Sequence, residues 1–470
     1  MTLQPEIAVM RFGLGARPGD LAAAASDPRA WLRAQTRGPA ARAGTTELAA
    51  SNEIFEAVLA AREERREERL EAATPDAVKA AGAILREAYQ PHYRAQVLAR
   101  AQSAAVTAQP FSERLVHFWA NHFAVSADKG AIHGLAGTLE NEAIRPHVNG
   151  RFVELLTAVE QHPAMIAFLD NQYSVGADSP AARRAAVRPA PLSGRPSRRF
   201  GINENLAREI LELHTLGVGG GYRQEDVTSF AQILTGWSIG GGRGRLAGGD
   251  PGKFHFRVEL HEPGAKMLLG KRYAEQGQAE GEAVLADLAG HPSTARFLAT
   301  KLVRHFIADD PPPQTVERVA RAYLKSDGHL PQAYAALIES PEAWEPQPRK
   351  FKTPEDFVFS TLRALELTPS GPQEVIHAFD LMGQRQYTPG SPAGWADTTA
   401  SWDGPDALMH RVLWASQTAG RYPQGTSPGE VAGAALGGRL RAETATAMRR
   451  ASTGSQALAL FLMSPEFQRR

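Results

Sequence analysis

The residues able to do chemistry in this 470-residue sequence are histidines, carboxylates, amides and basic groups, because it contains no cysteine. Thiolate nucleophiles, disulfides and cysteine-ligated metal centres are excluded, and any metal must be held by nitrogen or oxygen. Two segments concentrate suitable residues. The first is His117-Phe118-Trp119-Ala120-Asn121-His122-Phe123. On a helix, residue 121 lies about 40° from residue 117 and residue 122 about 140° from it. That spacing places His117 and Asn121 on one face and turns His122 elsewhere. The aromatic residues between them mark a buried element whose imidazoles need hydrogen-bond partners. They are either core histidines bonded to backbone and carboxylates, or ligands and proton carriers.

The second segment runs from Asn203 to Gly217 as NENLAREILELHTLG. Asn203 suits a helix N-cap and Gly217 a C-terminal stop. Leu206, Ile210 and Leu213 form an apolar stripe. Asn205, Arg208, Glu209 and Glu212 form a polar one at i,i+3 and i,i+4 spacing. That polar stripe is either a solvated face carrying an Arg208–Glu212 pair or a group of oxygen ligands, with His214 near the helix end. Weaker groupings are Tyr222–Val227 with Ala231–Trp237, the turn His261-Glu262-Pro263-Gly264-Ala265-Lys266, and the basic helix end Lys301–Phe306. No phosphate-binding loop, dinucleotide fingerprint or His-Glu-x-x-His pattern is present.

The elements that must position these residues read mainly as helix, with no alternation of strands and helices, so a doubly wound sheet is excluded. The expected fold is mainly α, a bundle-like multi-helix array. Pro75 and Pro91 punctuate the charged run before residue 107 into a helix hairpin. A basic segment from Ser174 to Arg199 lacks apolar periodicity and reads as a flexible loop. A glycine-rich stretch leads into Phe254–Leu260, whose alternation predicts a small β-hairpin. A single unit over residues 8–470 is expected. Its parts are a helical part at 1–107, a core carrying the motifs at 108–240, a hairpin insertion at 241–275 and a C-terminal helical part at 276–470. The formal charge is +1, and the arginines of residues 183–199 lack interleaved aromatics, so nucleic acid is not an expected partner. No signal peptide and no run long enough to span a membrane is visible, which reads as a cytoplasmic chain.

Taken together, these groupings resemble the domain-of-unknown-function family 1800 of bacteria. The matching stretches are Arg11–Gly15, His117–Ser126, Phe168–Ser174, Asn203–Trp237, His255–Gly270, Lys301–Phe306, Tyr387–Trp402 and the end from Ser464. The resemblance gives weight to Asn203, Glu204, Asn205, Arg208, Glu209, Glu212 and His214, and to Asp170, Asn171, His117, Asn121 and His122. It implies no activity. The family's genes often lie beside a sulfatase-like family, domain-of-unknown-function 1501, which implies that partner and an exported setting. Because carboxylates, histidines and amides converge in one pattern, the expectation is an enzyme dependent on a metal or on carboxylates, acting with that sulfatase-like partner. Glu209, Glu212, His214, His117 and His122 would be catalytic. Asn203, Asn205, Arg208, Asn121, Asp170, Asn171, His261 and Lys266 would bind substrate. A divalent metal would sit on His117, His122, Glu209 and Glu212. The alternative is a non-catalytic binding or assembly protein in which the same residues form a buried polar network.

Overall fold

The computed structural model describes residues 3–470 except 45–46, 72–74, 131, 188–200, 242–246 and 423–426. No side chain is described from 69 to 82. The chain is mainly α, and its buried apolar side chains form one connected core that reaches from Ile7 to Phe467. No described helix is long and apolar enough to cross a membrane.

Helices α1 (Ser51–Glu71) and α2 (Pro75–Val106) make the expected hairpin and pack on each other. Pro91, however, lies inside α2 without ending it. Its ring is exposed, and the packing of α2 against α1 holds the helix past the missing hydrogen bond. Helix α3 (Pro110–His122) begins with proline at its first turn, where a missing N–H costs nothing. It is buried along almost its whole length, so its polar side chains must find partners inside the protein.

Phe152 opens helix α4 (Phe152–Glu160) and sets its ring against Trp119 of α3, the ring centres 5.6 Å apart. Helix α5 (Asn205–Glu209) does not continue to Gly217 as an α-helix. Residues Ile210–His214 form a π-helical turn instead. One extra residue per turn shifts every later side chain around the axis, which carries His214 into the interior. Gly217 then closes the turn at φ +81, and a Cβ there would lie 2.7 Å from the Phe297 ring. Helices α6 (Gln224–Ile233), α7 (Gln278–Ala289), α8 (Pro292–Phe306), α9 (Pro313–Lys325), α10 (Leu330–Ile338) and α11 (Pro354–Ala364) follow.

The expected hairpin is two small antiparallel pairs. Strand β1 (Trp237–Ile239), which precedes the predicted insertion, pairs with β2 (Phe254–Phe256), Ser238 opposite His255. Strand β3 (Lys266–Leu268) pairs with β4 (Lys271–Tyr273). The segment read as a loop from Ser174 is helical over Pro180–Ala186, because Ser179 accepts a hydrogen bond from the Ala182 N–H and caps it. Arg183 and Arg184 sit on this helix. The remaining arginines of that stretch, Arg188, Arg195, Arg198 and Arg199, lie outside the described residues.

Candidate functional site

Two buried ion networks fix the face of α3. In the first, Arg145 makes a two-pronged contact with Glu113, Nη1 to Oε2 at 2.8 Å and Nη2 to Oε1 at 2.7 Å. It also bonds Glu140 Oε1 at 2.8 Å. Arg100 continues the chain, with Nε 3.2 Å from Glu140 Oε2 and Nη2 2.9 Å from Glu355 Oε1. Burial alone would raise the Glu113 carboxyl, but the Arg145 guanidinium and its hydrogen bonds hold it well below the usual carboxylate range. His117 closes this network, its Nε2 3.4 Å from Glu113 and its Nδ1 3.8 Å from Glu355.

In the second network Asp356 lies between Arg114, at 2.9 Å, and Arg470, at 2.8 Å. Its position follows from the sequence. Thr353 and Asp356 form a capping box at the start of α11, Thr353 Oγ1 accepting from the Asp356 N–H at 3.1 Å. His305 on α8 is held at both nitrogens: Nδ1 lies 2.8 Å from Asp397 Oδ2, and Nε2 accepts from Arg114 Nε–H at 3.1 Å. An imidazole that accepts at Nε2 is neutral and carries its proton on Nδ1. Burial pushes its pKa down to about 4, against the pull of Asp397. Asp397 in turn lies 3.3 Å from Lys350. Burial would raise its carboxyl, but His305, Lys350 and Arg470 together hold it well below the carboxylate range.

Between these networks lies a cavity of about 380 Å³. Helix α3 lines it with Arg114, His117, Phe118, Asn121 and His122, and α8 with Lys301, Arg304 and His305. Thr353, Glu355 and Asp356 form a third wall, and residues Ala393–Thr398 a fourth. His122 borders the same space as His117, contrary to the expectation from spacing, because the cavity takes in a broad arc of α3 rather than one narrow stripe. Its Nε2 lies 3.1 Å from the His214 carbonyl oxygen, so it donates there, and its buried Nδ1 has no hydrogen-bond partner. Burial, with Lys301 and His214 adding to it, holds the His122 pKa well below the usual value.

Asn121 does not face a ligand with its amide. Its Nδ2 donates to the Trp395 carbonyl at 2.9 Å and its Oδ1 accepts from the Trp395 N–H at 2.7 Å. It thereby holds the fourth wall in place as a neighbouring strand would. Gly394 is required beside it: φ is +82, and a Cβ would lie 2.2 Å from the Asn121 carbonyl oxygen. Gly394→Ala is expected to cost at least ~1–3 kcal/mol from backbone strain alone. It should also make the segment between 384 and 402 markedly more sensitive to limited proteolysis. An unchanged cleavage pattern would show that the clamp does not fix the wall.

The other sequence candidates lie elsewhere. His214 is buried with its Nδ1 2.8 Å from Glu160 Oε1, and His122 sits on its carbonyl. Glu209 is half-buried, and desolvation raises its pKa. Glu212 accepts from the Tyr222 hydroxyl at 3.3 Å. The expected Arg208–Glu212 pair is replaced by Arg208 with Glu204, at 3.0 Å, while Gln224 and Thr228 bond the same Glu204 carboxylate. Asn205 is exposed, its N–H bonded to Asn203 Oδ1. Asn203 Nδ2 donates to the Leu169 carbonyl. Asp170 pairs with Lys129 at 2.7 Å, and Asn171 is buried and donates to the Leu234 and Trp237 carbonyls. His261 and Lys266 converge on Glu280, at 3.4 and 3.2 Å. His117, His122, Glu209 and Glu212 do not form a ligand set. Among the described residues no three His, Asp or Glu side chains are grouped as a metal ion requires. His117 is turned to Glu113 and Glu355 and His122 to a backbone carbonyl.

Sequence reasoning missed Glu355 and Asp397 as site residues, and it noted Lys301 and Arg304 only within a weaker basic grouping. Lys301, Arg304 and His305 stand at i, i+3 and i+4 on α8, a spacing that puts them on one helix face. His117–His122, Lys301–His305, Trp395–Asp397 and Arg470 belong to four of the stretches that carry the family resemblance, and all four meet at this cavity or its wall.

The fold and cavity describe a helical protein with a polar, cation-bearing pocket between α3 and α8. The chain belongs to the family of proteins of unknown function DUF1800, whose sequence pattern matches residues 7–469. No curated protein and no solved structure matches it.

The pKa directions carry a pH dependence. His122 and His305 are neutral when folded and take up a proton near pH 6.5 when unfolded, so stability is full above that pH and is lost as pH falls below it. For His305 the loss runs down to about pH 4, at roughly 1.4 kcal/mol per pH unit per histidine. Urea unfolding between pH 7.5 and 5 is expected to show this slope, reduced in a His305→Gln variant. A flat profile would contradict the neutral assignment.

Proposed function

We propose that the cavity between α3 and α8 binds a small anionic molecule and is the protein's reaction site. The observation that supports this is an imbalance of charge partners. Every carboxylate of the wall is already paired: Glu355 with Arg100, Asp356 with Arg114 and Arg470, Asp397 with His305 and Lys350. Lys301 and Arg304 face the same space, and neither makes an ion pair among the described residues. The Arg304 Nε–H reaches only the Asp309 carbonyl, at 3.3 Å. A half-buried cation left without an anion is costly unless a ligand supplies one. The volume suits a small molecule.

The reading is enzymatic, but its groups differ from those of the polar stripe on α5. His122 supplies an imidazole with a bare nitrogen, Lys301 an amine, and the His305–Asp397 pair orients Arg114. The test is the melting temperature with acetate, pyruvate, sulfate or phosphate added at constant ionic strength. One or more should raise it by mass action. The reading fails if none does, or if the rise persists in a Lys301→Met variant.

A further inference from the structure

We infer that Lys301 condenses with the carbonyl group of a small 2-oxo carboxylate, held as an imine in the cavity. The inference rests on the anion-site reading and names its substrate class. Three observations carry it.

First, Lys301 is the lysine that faces the cavity without a carboxylate partner. The ring centre of Phe297 is 5.5 Å from its Nζ. Lys350, by contrast, is spent on Asp309 at 2.6 Å and on Asp397. Second, Arg304 stands one helical turn away on the same face of α8, so an amine and a guanidinium are presented together. That arrangement suits a carbonyl carbon beside a carboxylate, as guanidinium is the better carboxylate partner and amine the better nucleophile. Third, His122 borders the same cavity, its ring centre 6.2 Å from that of Phe297, and carries the unpartnered Nδ1. That nitrogen carries a lone pair, and the His122 ring interacts electrostatically with Lys301 across the cavity they both line.

The surroundings bias the amine toward its reactive form. Burial holds the Lys301 ammonium down at about 8; Asp397 opposes this and Arg304 adds to it. A free-amine fraction is therefore present near neutral pH.

The step balances without a co-reactant. The free amine adds to the carbonyl carbon, and the C–O π pair moves to oxygen. The oxygen leaves as water, and a C=N bond replaces the C=O bond. The nitrogen of the adduct gives one proton to that oxygen, making a hydroxyl, and the proton that the ammonium released then protonates the departing hydroxyl, so a protonated imine and water are the products. Asn121 keeps the Trp395 wall over this space, which limits the solvent that would reverse the condensation.

The experiment is reductive trapping of the full chain with sodium borohydride in the presence of pyruvate, followed by peptide mass mapping. Acetone serves as a carbonyl lacking the anion, and acetate as an anion lacking the carbonyl. The expected result is a reduced pyruvate adduct on Lys301, at least tenfold above the adduct on any other lysine. Acetone should give little label, acetate should protect, and Lys301→Arg, which keeps the charge, should abolish the label. Acetate protection of Lys301 from a neutral acylating reagent, without any pyruvate adduct, would overturn the imine and leave the anion site standing. Label spread evenly over surface lysines, with no protection by acetate, would overturn both.

Discussion

Replacing Arg145 by leucine is expected to destabilise the protein by about 3–5 kcal/mol, the usual result of removing one partner from a buried ion pair. Arg145 is 1 % exposed and is shared by Glu113 and Glu140, themselves 4 % and 1 % exposed. Leucine would leave two carboxylates inside the core with weaker compensation, His117 for Glu113 and Arg100 for Glu140. Glu113 answers by taking up a proton, which frees His117 from one of its two holds. The loss therefore has a second signature besides the lower urea midpoint. Destabilisation should grow as pH rises from the ordinary carboxylate value through the raised values of Glu113 and Glu140 in the variant, and level off above them. Leucine retains bulk but no donor, so packing cannot explain the effect. A change under about 1 kcal/mol would show that the network is not a main support of α3.

Replacing Lys301 by methionine is expected to act in the opposite place, on binding rather than on folding. Methionine keeps the stem length and removes the charge. Lys301 makes no ion pair among the described residues, and its burial already disfavours the ammonium, so stability should hold or rise. Loss of one charge-assisted contact to a bound anion is worth about 1.5–3 kcal/mol, roughly 10- to 150-fold in affinity. A stable variant with lost binding separates the site reading from a purely structural one. A buried network that only fixes helix packing would respond to Lys301→Met in melting temperature alone.

Much of the fold is legible in the sequence because its signals are local. The aromatic-rich α3, the stop at Gly217 and the alternation at Phe254–Phe256 are read within a few residues. The π turn at Ile210–His214 is not, because it is a slip in backbone hydrogen-bond register that leaves no mark in side-chain spacing. Its consequence is that His214 meets Glu160 inside the protein rather than solvent at a helix end. The helix through Pro91 is missed for a related reason, since tertiary packing overrides a local rule.

The site is legible in part. His117, Asn121 and His122 line the cavity as well as standing together in sequence. Asn121, however, is spent on Trp395, a residue 274 positions away. Lys301, Arg304 and Asp397 each look ordinary in their own segment. They become a site because α8 and the wall that Gly394 and Asn121 hold in place bring them against α3. The polar stripe on α5 shows the converse. Arg208 and Glu204 with Gln224 and Thr228 form a mostly solvated cluster, and residue identity there does not report a pocket.

The most direct test is a calorimetric titration of the intact protein and of Lys301→Met with pyruvate and with acetate at pH 7 and fixed ionic strength. One-to-one binding tighter than about 1 mM, some −4 kcal/mol, is the expected result for at least one of the two with the wild-type chain. The variant should lose at least tenfold while melting at the same temperature or higher. Equal titration curves for the two proteins, or no heat with either anion, would contradict the assignment of the cavity as an anion-binding reaction site.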